Sequence, residues 1–244
     1  MNGLVLVHAF PLDASMWEPQ IEAFDGRVPV VAPNLPGFGG APSAGDVMTM
    51  ELAARRCLDA MQEADVDQAV VCGLSMGGYV VLELWRRAPH RFAGLVLANT
   101  RAGADSEEGA SARRALAERL RSEGNGFLVE NPVPLLTTDA PEELWARVKG
   151  IIAAQPASAI AAASLGMAER PDSTGDLKGI AVPTLVVTAS GDTLIPPDAT
   201  SPMAGQIPGA TLRIIEGAGH LSNLQAPEAF NDALSDALGR AGIA

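Results

Sequence analysis

Ala69-Val70-Val71-Cys72-Gly73-Leu74-Ser75-Met76-Gly77 joins a short apolar run to a helical stretch, with glycine on both sides of a serine. The run Ala69 to Cys72 is β-rich and unbroken by charge, as expected of a strand buried on both faces. From Met76 to Arg87 the spacing predicts a helix. The joint between them must be a sharp strand-to-helix turn, which lifts the serine hydroxyl above the end of the sheet, and the flanking glycines permit the tight backbone. A serine at a helix start also serves as an N-cap, so the motif needs partners before it means chemistry.

Outward from this turn the same rhythm repeats. Apolar runs rich in Val, Leu or Ile occur at Leu4 to Val7, Val28 to Val31, Gly94 to Leu97, Thr184 to Val187 and Thr211 to Ile215, each bounded by Gly, Pro, Asn or Asp. Helical stretches alternate with them at Ala14 to Phe24, Met50 to Ala64 and Pro227 to Leu238. Strands alternating with helices predict an α/β chain with a mostly parallel, doubly wound sheet of about six strands. No strand is expected ahead of Leu4.

The interval from Arg101 to about Gly175 breaks the rhythm. It holds helical stretches such as Ala110 to Arg121, Glu142 to Ala154 and the Ala-rich Ala157 to Ala168, is divided by Pro132 and Pro134, and has no strand-like run. The expected organisation is therefore a core of residues 1–100 and 176–244 with a helical cap, 101–175, inserted between its halves. Such an insertion is either a stabilising excursion or a lid over the strand C-termini, where open α/β sheets bind ligands.

The chain has 244 residues, 48% of them hydrophobic and 19% charged, the balance of a packed globular protein. Its net charge of −12 repels phosphate backbones and anionic membrane surfaces, so neither nucleic acid nor membrane is an expected partner. No stretch approaches the roughly 20 apolar residues of a membrane span, and no basic leader precedes the first run, which predicts a cytoplasmic location. Cys57 and Cys72 read as buried, unreactive thiols.

A serine needs a base, and the chain offers three imidazoles, His8, His90 and His220. His90 follows Ala88-Pro89 at the far end of the helix after Ser75, about three turns from the strand tips. His8 ends the first run and suits a loop-shaping role. His220, in Glu216-Gly217-Ala218-Gly219-His220 just past the last run, reaches the strand tips. For the orienting acid, the segment after Leu97 offers no carboxylate, whereas Thr188-Ala189-Ser190-Gly191-Asp192 follows the fifth run; Asp192 is preferred and Asp198 is the fallback. Met76, at the first turn of its helix, presents an unpaired N–H to a developing oxyanion. The spacing of His and Cys matches no zinc pattern, and neither metal nor organic cofactor is expected.

With Ser75, Asp192 and His220 in this order, the chain resembles the α/β-hydrolase superfamily. The resemblance spans nearly the whole sequence. His8-Ala9-Phe10-Pro11-Leu12-Asp13 looks like the oxyanion loop, Leu35-Pro36-Gly37-Phe38-Gly39 like the loop after the second run, and Gly219-His220 like the histidine loop. It implies the N–H of Phe10 as a second oxyanion donor and an acyl-enzyme on Ser75. Ala9 stands where such proteins usually have glycine, which either narrows the oxyanion pocket or marks a position of negative φ. Asn34 stands where aspartate is common.

The chain is also similar to small bacterial esterases and lactonases of the 3-oxoadipate enol-lactonase type, which implies a small-molecule ester or lactone substrate. A substrate carrying a carboxylate requires a cation by the pocket, and Arg113, Arg114, Arg119, Arg147 and Lys149 are the cap's candidates, though each reads first as part of a solvated helix face. Trp145 either walls the pocket or packs. A non-catalytic ligand receptor on the same fold, a C–C bond hydrolase and a perhydrolase remain alternatives, and the sequence assigns no oligomeric state.

Overall fold

The computed structural model describes residues 1–243. Six strands, β1 (Asn2–Val7), β2 (Val30–Val31), β3 (Gln68–Leu74), β4 (Phe92–Ala98), β5 (Thr184–Ala189) and β6 (Thr211–Ile215), form one sheet in the order β2-β1-β3-β4-β5-β6. Every pairing is parallel, with Val7 opposite Gly73 and Leu74 opposite Ala98 at the site end. The helices are α1 (Glu18–Phe24), α2 (Met50–Glu63), α3 (Met76–Arg87), α4 (Glu107–Glu123), α5 (Gly126–Glu130), α6 (Glu142–Ala154), α7 (Ala157–Ala168), α8 (Pro197–Thr200), α9 (Pro202–Gln206), α10 (Ser222–Gln225) and α11 (Pro227–Arg240).

This order dictates where a site can form. The chain leaves β1 through α1 to β2 on one side and leaves β3 through α3 to β4 on the other. Right-handed crossovers running in opposite directions place α1 and α3 on opposite faces. The strand ends of β1 and β3 therefore diverge into a crevice, the switch point at which open α/β sheets bind ligands. The strands beside it, β1, β3, β4 and β5, are buried along nearly their whole length.

Three local expectations are corrected. The second strand begins at Val30, not Val28, because Pro29 has no N–H for the ladder; its carbonyl instead accepts from Leu4 N–H at 2.8 Å. The stretch from Ala14 to Phe24 is two pieces, a 3₁₀ turn over Ala14–Trp17 capped by Asp13 and then α1, with Pro19 in its first turn. The last strand is not buried on both faces: β6 is an edge, with Leu212 and Ile214 exposed.

Between β4 and β5 the described residues contain α4 to α7 and no strand. Two of them, α4 and α7, pack together, and α7 is buried along most of its length through small side chains. The excursion is tied to the sheet by polar contacts. Gln155 donates to Asp13 Oδ2 at 2.7 Å and accepts from Gly39 N–H at 2.9 Å, and Arg147 pairs with Glu18 at 2.8 Å. Among the described residues no single helix is long and apolar enough to cross a membrane.

Candidate active site

Ser75 sits between β3 and α3 with φ 57° and ψ −116°, in the left-handed region that a non-glycine residue adopts only at a cost of about 1–3 kcal/mol. Surrounding bonds hold it there: its N–H donates to Ala98 O at 3.0 Å, and its carbonyl accepts from Gly78 N–H at 2.9 Å and Thr100 Oγ1 at 2.8 Å. The two glycines are steric necessities. A Cβ on Gly77 would lie 2.1 Å from Val7 O, and one on Gly73 would lie 2.3 Å from Gly77 O. The hydroxyl-bearing residue is thus wedged where β1 and α3 come closest.

His220 is fully buried, and its Nδ1 meets Asp192 Oδ2 at 2.8 Å. Asp192 accepts four hydrogen bonds. Its Oδ1 takes the N–H groups of Leu194 and Ile195, both at 2.9 Å, while Oδ2 takes His220 and Asn99 Nδ2 at 2.9 Å. Burial on its own raises a carboxyl pKa; here the bonds and charge of His220, with those of Ile195 and Asn99, outweigh it and hold Asp192 below the ordinary carboxylate value. It is an anion, so His220 Nδ1 carries the proton and Nε2 is left as the basic lone pair. That Nε2 is buried and has no hydrogen-bond partner among the described residues.

Asn99 carries no charge and so does not stand out among strand-end carboxylates. It stands at φ 45° just past β4, donates to Asp192, and accepts the Ser222 hydroxyl at 2.7 Å on its Oδ1. Ser222 opens α10, two residues after His220. The Asn99 amide therefore links the ends of β4 and β5 to the histidine loop. Gln225 supports the loop from the other side: its Oε1 accepts from Gly219 N–H at 3.0 Å and Thr137 N–H at 3.2 Å.

The other two histidines separate as expected. His90 is exposed in the short turn Pro89–Arg91, by the N-terminal ends of the strands. His8 is fully buried; its Nε2 accepts from Leu35 N–H at 3.1 Å and its Nδ1 donates to Ala9 O at 3.1 Å. Burial lowers its pKa to about 4, so the ring is neutral and joins the end of β1 to the loop after β2. Asp198 lies in α8, away from the pairing that Asp192 makes with His220.

Met76 is the first residue of α3, where the N–H has no intrahelical acceptor. Phe10 lines the same cavity as Ser75. Ala9 is not among the residues with positive φ, its side chain is buried, and it does not line the cavity, so its methyl group does not narrow it. Asn34 bridges two loops: Oδ1 accepts from Ala14 N–H at 2.8 Å and Nδ2 donates to Gly39 O at 2.9 Å, a donation that aspartate could not make.

The Ser75 cavity measures about 390 Å³, within the range of small-molecule sites. Tyr79, Leu116, Met167, Leu194 and Ile195 supply much of its wall, and Val133 stands at its edge. Trp145 lies in α6, half-buried against the core, and is not part of this wall. Of Arg113, Arg114, Arg119, Arg147 and Lys149 only Arg113 lines it. Arg119 stacks on Phe127 at 3.7 Å, Arg147 pairs with Glu18, and Arg114 and Lys149 line no part of the cavity. Arg101, which belongs to no motif in the sequence, lines it as well. Among the described residues no cluster of His, Cys, Asp and Glu suits a metal ion.

A strained serine on a strand-to-helix turn and a buried Asp–His pair, each placed just past a strand of one parallel sheet, define an α/β hydrolase arrangement, although His220 Nε2 makes no hydrogen bond to Ser75. The alpha/beta hydrolase family matches residues 4–233, and the chain belongs to that family. Its relatives include 3-oxoadipate enol-lactonase 1 of Acinetobacter baylyi, 28% identical over 93% of this chain and 85% of that protein. The pimeloyl-[acyl-carrier protein] methyl ester esterase of Aromatoleum aromaticum is 30% identical over 92% of this chain and 93% of that protein. Among solved structures, a thermophilic esterase from Thermogutta terrifontis with malate bound is 38% identical, with a TM-score of 0.95 over 99% of this chain and 90% of its own. These three are named as a lactonase and two esterases.

Proposed function

We propose that the protein is a serine hydrolase that cleaves a small carboxylic ester or lactone through an acyl-enzyme on Ser75. The observation that carries this reading is the buried His220 Nε2, unpartnered while its Nδ1 is fixed by an ionised Asp192. A ring nitrogen left free while its partner nitrogen is fixed by a carboxylate is the atom that a general base requires. In the reaction Ser75 Oγ attacks the carbonyl as its proton passes to Nε2. The N–H groups of Met76 and Phe10 hold the oxyanion, each contributing on the order of 10²–10³ in rate. His220 then gives the proton to the leaving alkoxide, and a water repeats the sequence to free the acid. Asp192 holds the tautomer and stabilises the imidazolium.

The segment 101–175 is the lid in this reading, since Asp105, Gly109, Ala112, Arg113, Leu116, Val133 and Met167 from it face Ser75 across the cavity. The chemistry named for the relatives, an enol-lactone and a methyl ester, supports ester or lactone cleavage without choosing between them. A panel of short p-nitrophenyl esters, enol-lactones and acyl-homoserine lactones tests the proposal. Turnover of at least one, abolished in Ser75→Ala, is expected. Tight binding across the panel with no turnover would establish a receptor instead.

A further inference from the structure

The wall of the Ser75 cavity carries a charge that the overall composition does not predict. In a chain of net charge −12, Arg101 and Arg113 face this cavity together with Asp105, and Arg170 lies behind them. Three guanidinium groups meet one carboxylate. Asp105 Oδ1 accepts from Arg101 Nη2 and from Arg170 Nη2, the latter at 2.8 Å, and Oδ2 accepts from Arg113 Nε. Among the described residues none of the three arginines pairs with a second carboxylate. Burial opposes ionisation of Asp105, but the Arg170 hydrogen bond and the Arg113 charge win, and its carboxyl is held far below the usual range. The cluster therefore keeps an excess positive charge.

The three arginines are not equivalent. Arg170 is buried and consumed by structure: it donates to Met167 O at 2.9 Å, Gly103 O at 3.0 Å and Asp105, and its guanidinium lies 4.0 Å from the Tyr79 ring centre. Arg101 and Arg113 each make one hydrogen bond among the described residues, both to Asp105. Arg101 Nε is buried without a partner, and both Nη groups of Arg113 are unspent. Asp105 thus fixes two forks at the cavity wall while most of their donors stay free. The rest of the wall is largely apolar, from Phe10 and Leu116 to Leu194 and Ile195.

We infer that Arg101 and Arg113 form a carboxylate-binding subsite, so that the preferred substrate is a small ester or lactone with an apolar middle and an ionised carboxylate at the end remote from the scissile bond. Planar guanidinium forks match a carboxylate in two parallel hydrogen bonds, and an apolar surround strengthens them. The inference rests on Ser75 being the nucleophile only for turnover; the binding itself does not depend on it.

Two measurements test it separately. Monomethyl esters of glutaric, adipic and pimelic acid are compared with neutral methyl esters of matched length, and the ratio of kcat/KM values gives the selectivity for charge. Wild type is expected to favour at least one acidic ester. Arg101→Gln and Arg113→Gln should each lower that ratio by about tenfold or more, the usual effect of losing a charge-assisted contact, whereas Arg114→Gln, exposed on α4 and not lining the cavity, should leave it unchanged. Calorimetric titration of Ser75→Ala with glutarate reads binding without chemistry and is expected to show saturable binding that Arg113→Gln weakens by a similar factor. Equal turnover of acidic and neutral esters, or glutarate binding indifferent to both arginines, overturns the subsite. Tighter binding of inorganic phosphate than of glutarate overturns the carboxylate assignment. Failure of every ester with glutarate still bound would count against the nucleophile, not the subsite.

Discussion

Replacing Asp192 by asparagine changes one atom and inverts a proton. The native carboxylate accepts from two backbone N–H groups, of Leu194 and Ile195, on one oxygen and from Asn99 and His220 on the other. The backbone donors cannot turn over, so the new amide must give them its oxygen and point its NH₂ at Asn99 and His220. Asn99 can flip its amide, because its other partner, Ser222, is a hydroxyl that serves as donor or acceptor. His220 then accepts on Nδ1 and carries its proton on Nε2, the atom that must receive the Ser75 proton. Every hydrogen bond is remade and the fold is kept, but the base is in the wrong tautomer. The expected loss is about 10⁴ in kcat, or about 5.5 kcal/mol of barrier, with KM within about threefold because substrate contacts are untouched. Steady-state kinetics on p-nitrophenyl acetate with a thermal melt beside them reads both. A variant that keeps more than about one percent of wild-type kcat, or whose loss follows a collapse in Tm, refutes this reasoning.

Three further outcomes follow from the geometry. Asn99→Ala removes a donor to Asp192 and leaves the buried Ser222 hydroxyl without its acceptor, so kcat should fall about ten- to a hundredfold, and unchanged kinetics would remove Asn99 from the network. Gly77→Ala drives a Cβ to 2.1 Å from Val7 O, a backbone atom that cannot yield, and should destabilise by more than about 3 kcal/mol; a soluble variant with a wild-type melting curve would contradict the packing. His8 holds a pKa of about 4 against the ordinary 6.5, so the unfolded chain takes a proton the fold refuses in that interval. Its contribution is complete above pH 6.5 and is lost as pH falls toward 4, amounting to about 3 kcal/mol; urea titrations of wild type and His8→Gln should converge by that amount between pH 7 and 4, and parallel pH dependences would refute it.

The fold was legible because the strands around the switch point are buried on both faces and so read as continuous apolar runs. β6, an edge strand, was found by composition but its exposure was not. The Ser75, His220 and Asp192 positions were legible because each follows a strand, and strand ends are marked by the switch from apolar residues to Gly and Asp. Asn99 was not legible for a physical reason: it links a carboxylate to a hydroxyl, which needs a neutral amide, and an Asn after a strand is indistinguishable from an ordinary turn residue. Arg101 and Arg170 lie 69 residues apart in the sequence and meet only through Asp105, so no local pattern announces them. Trp145 stands out as a large aromatic between β4 and β5, yet it packs against the core and does not line the cavity.

The central claim is that Ser75 is a nucleophile activated by His220. Intact-mass measurement after treatment with a fluorophosphonate tests it most directly, with the modified peptide sequenced. The account predicts a single adduct on Ser75 in the wild type, no adduct in Ser75→Ala, and labelling slowed by orders of magnitude in His220→Ala. Labelling of Ser75→Ala at the wild-type rate would contradict it.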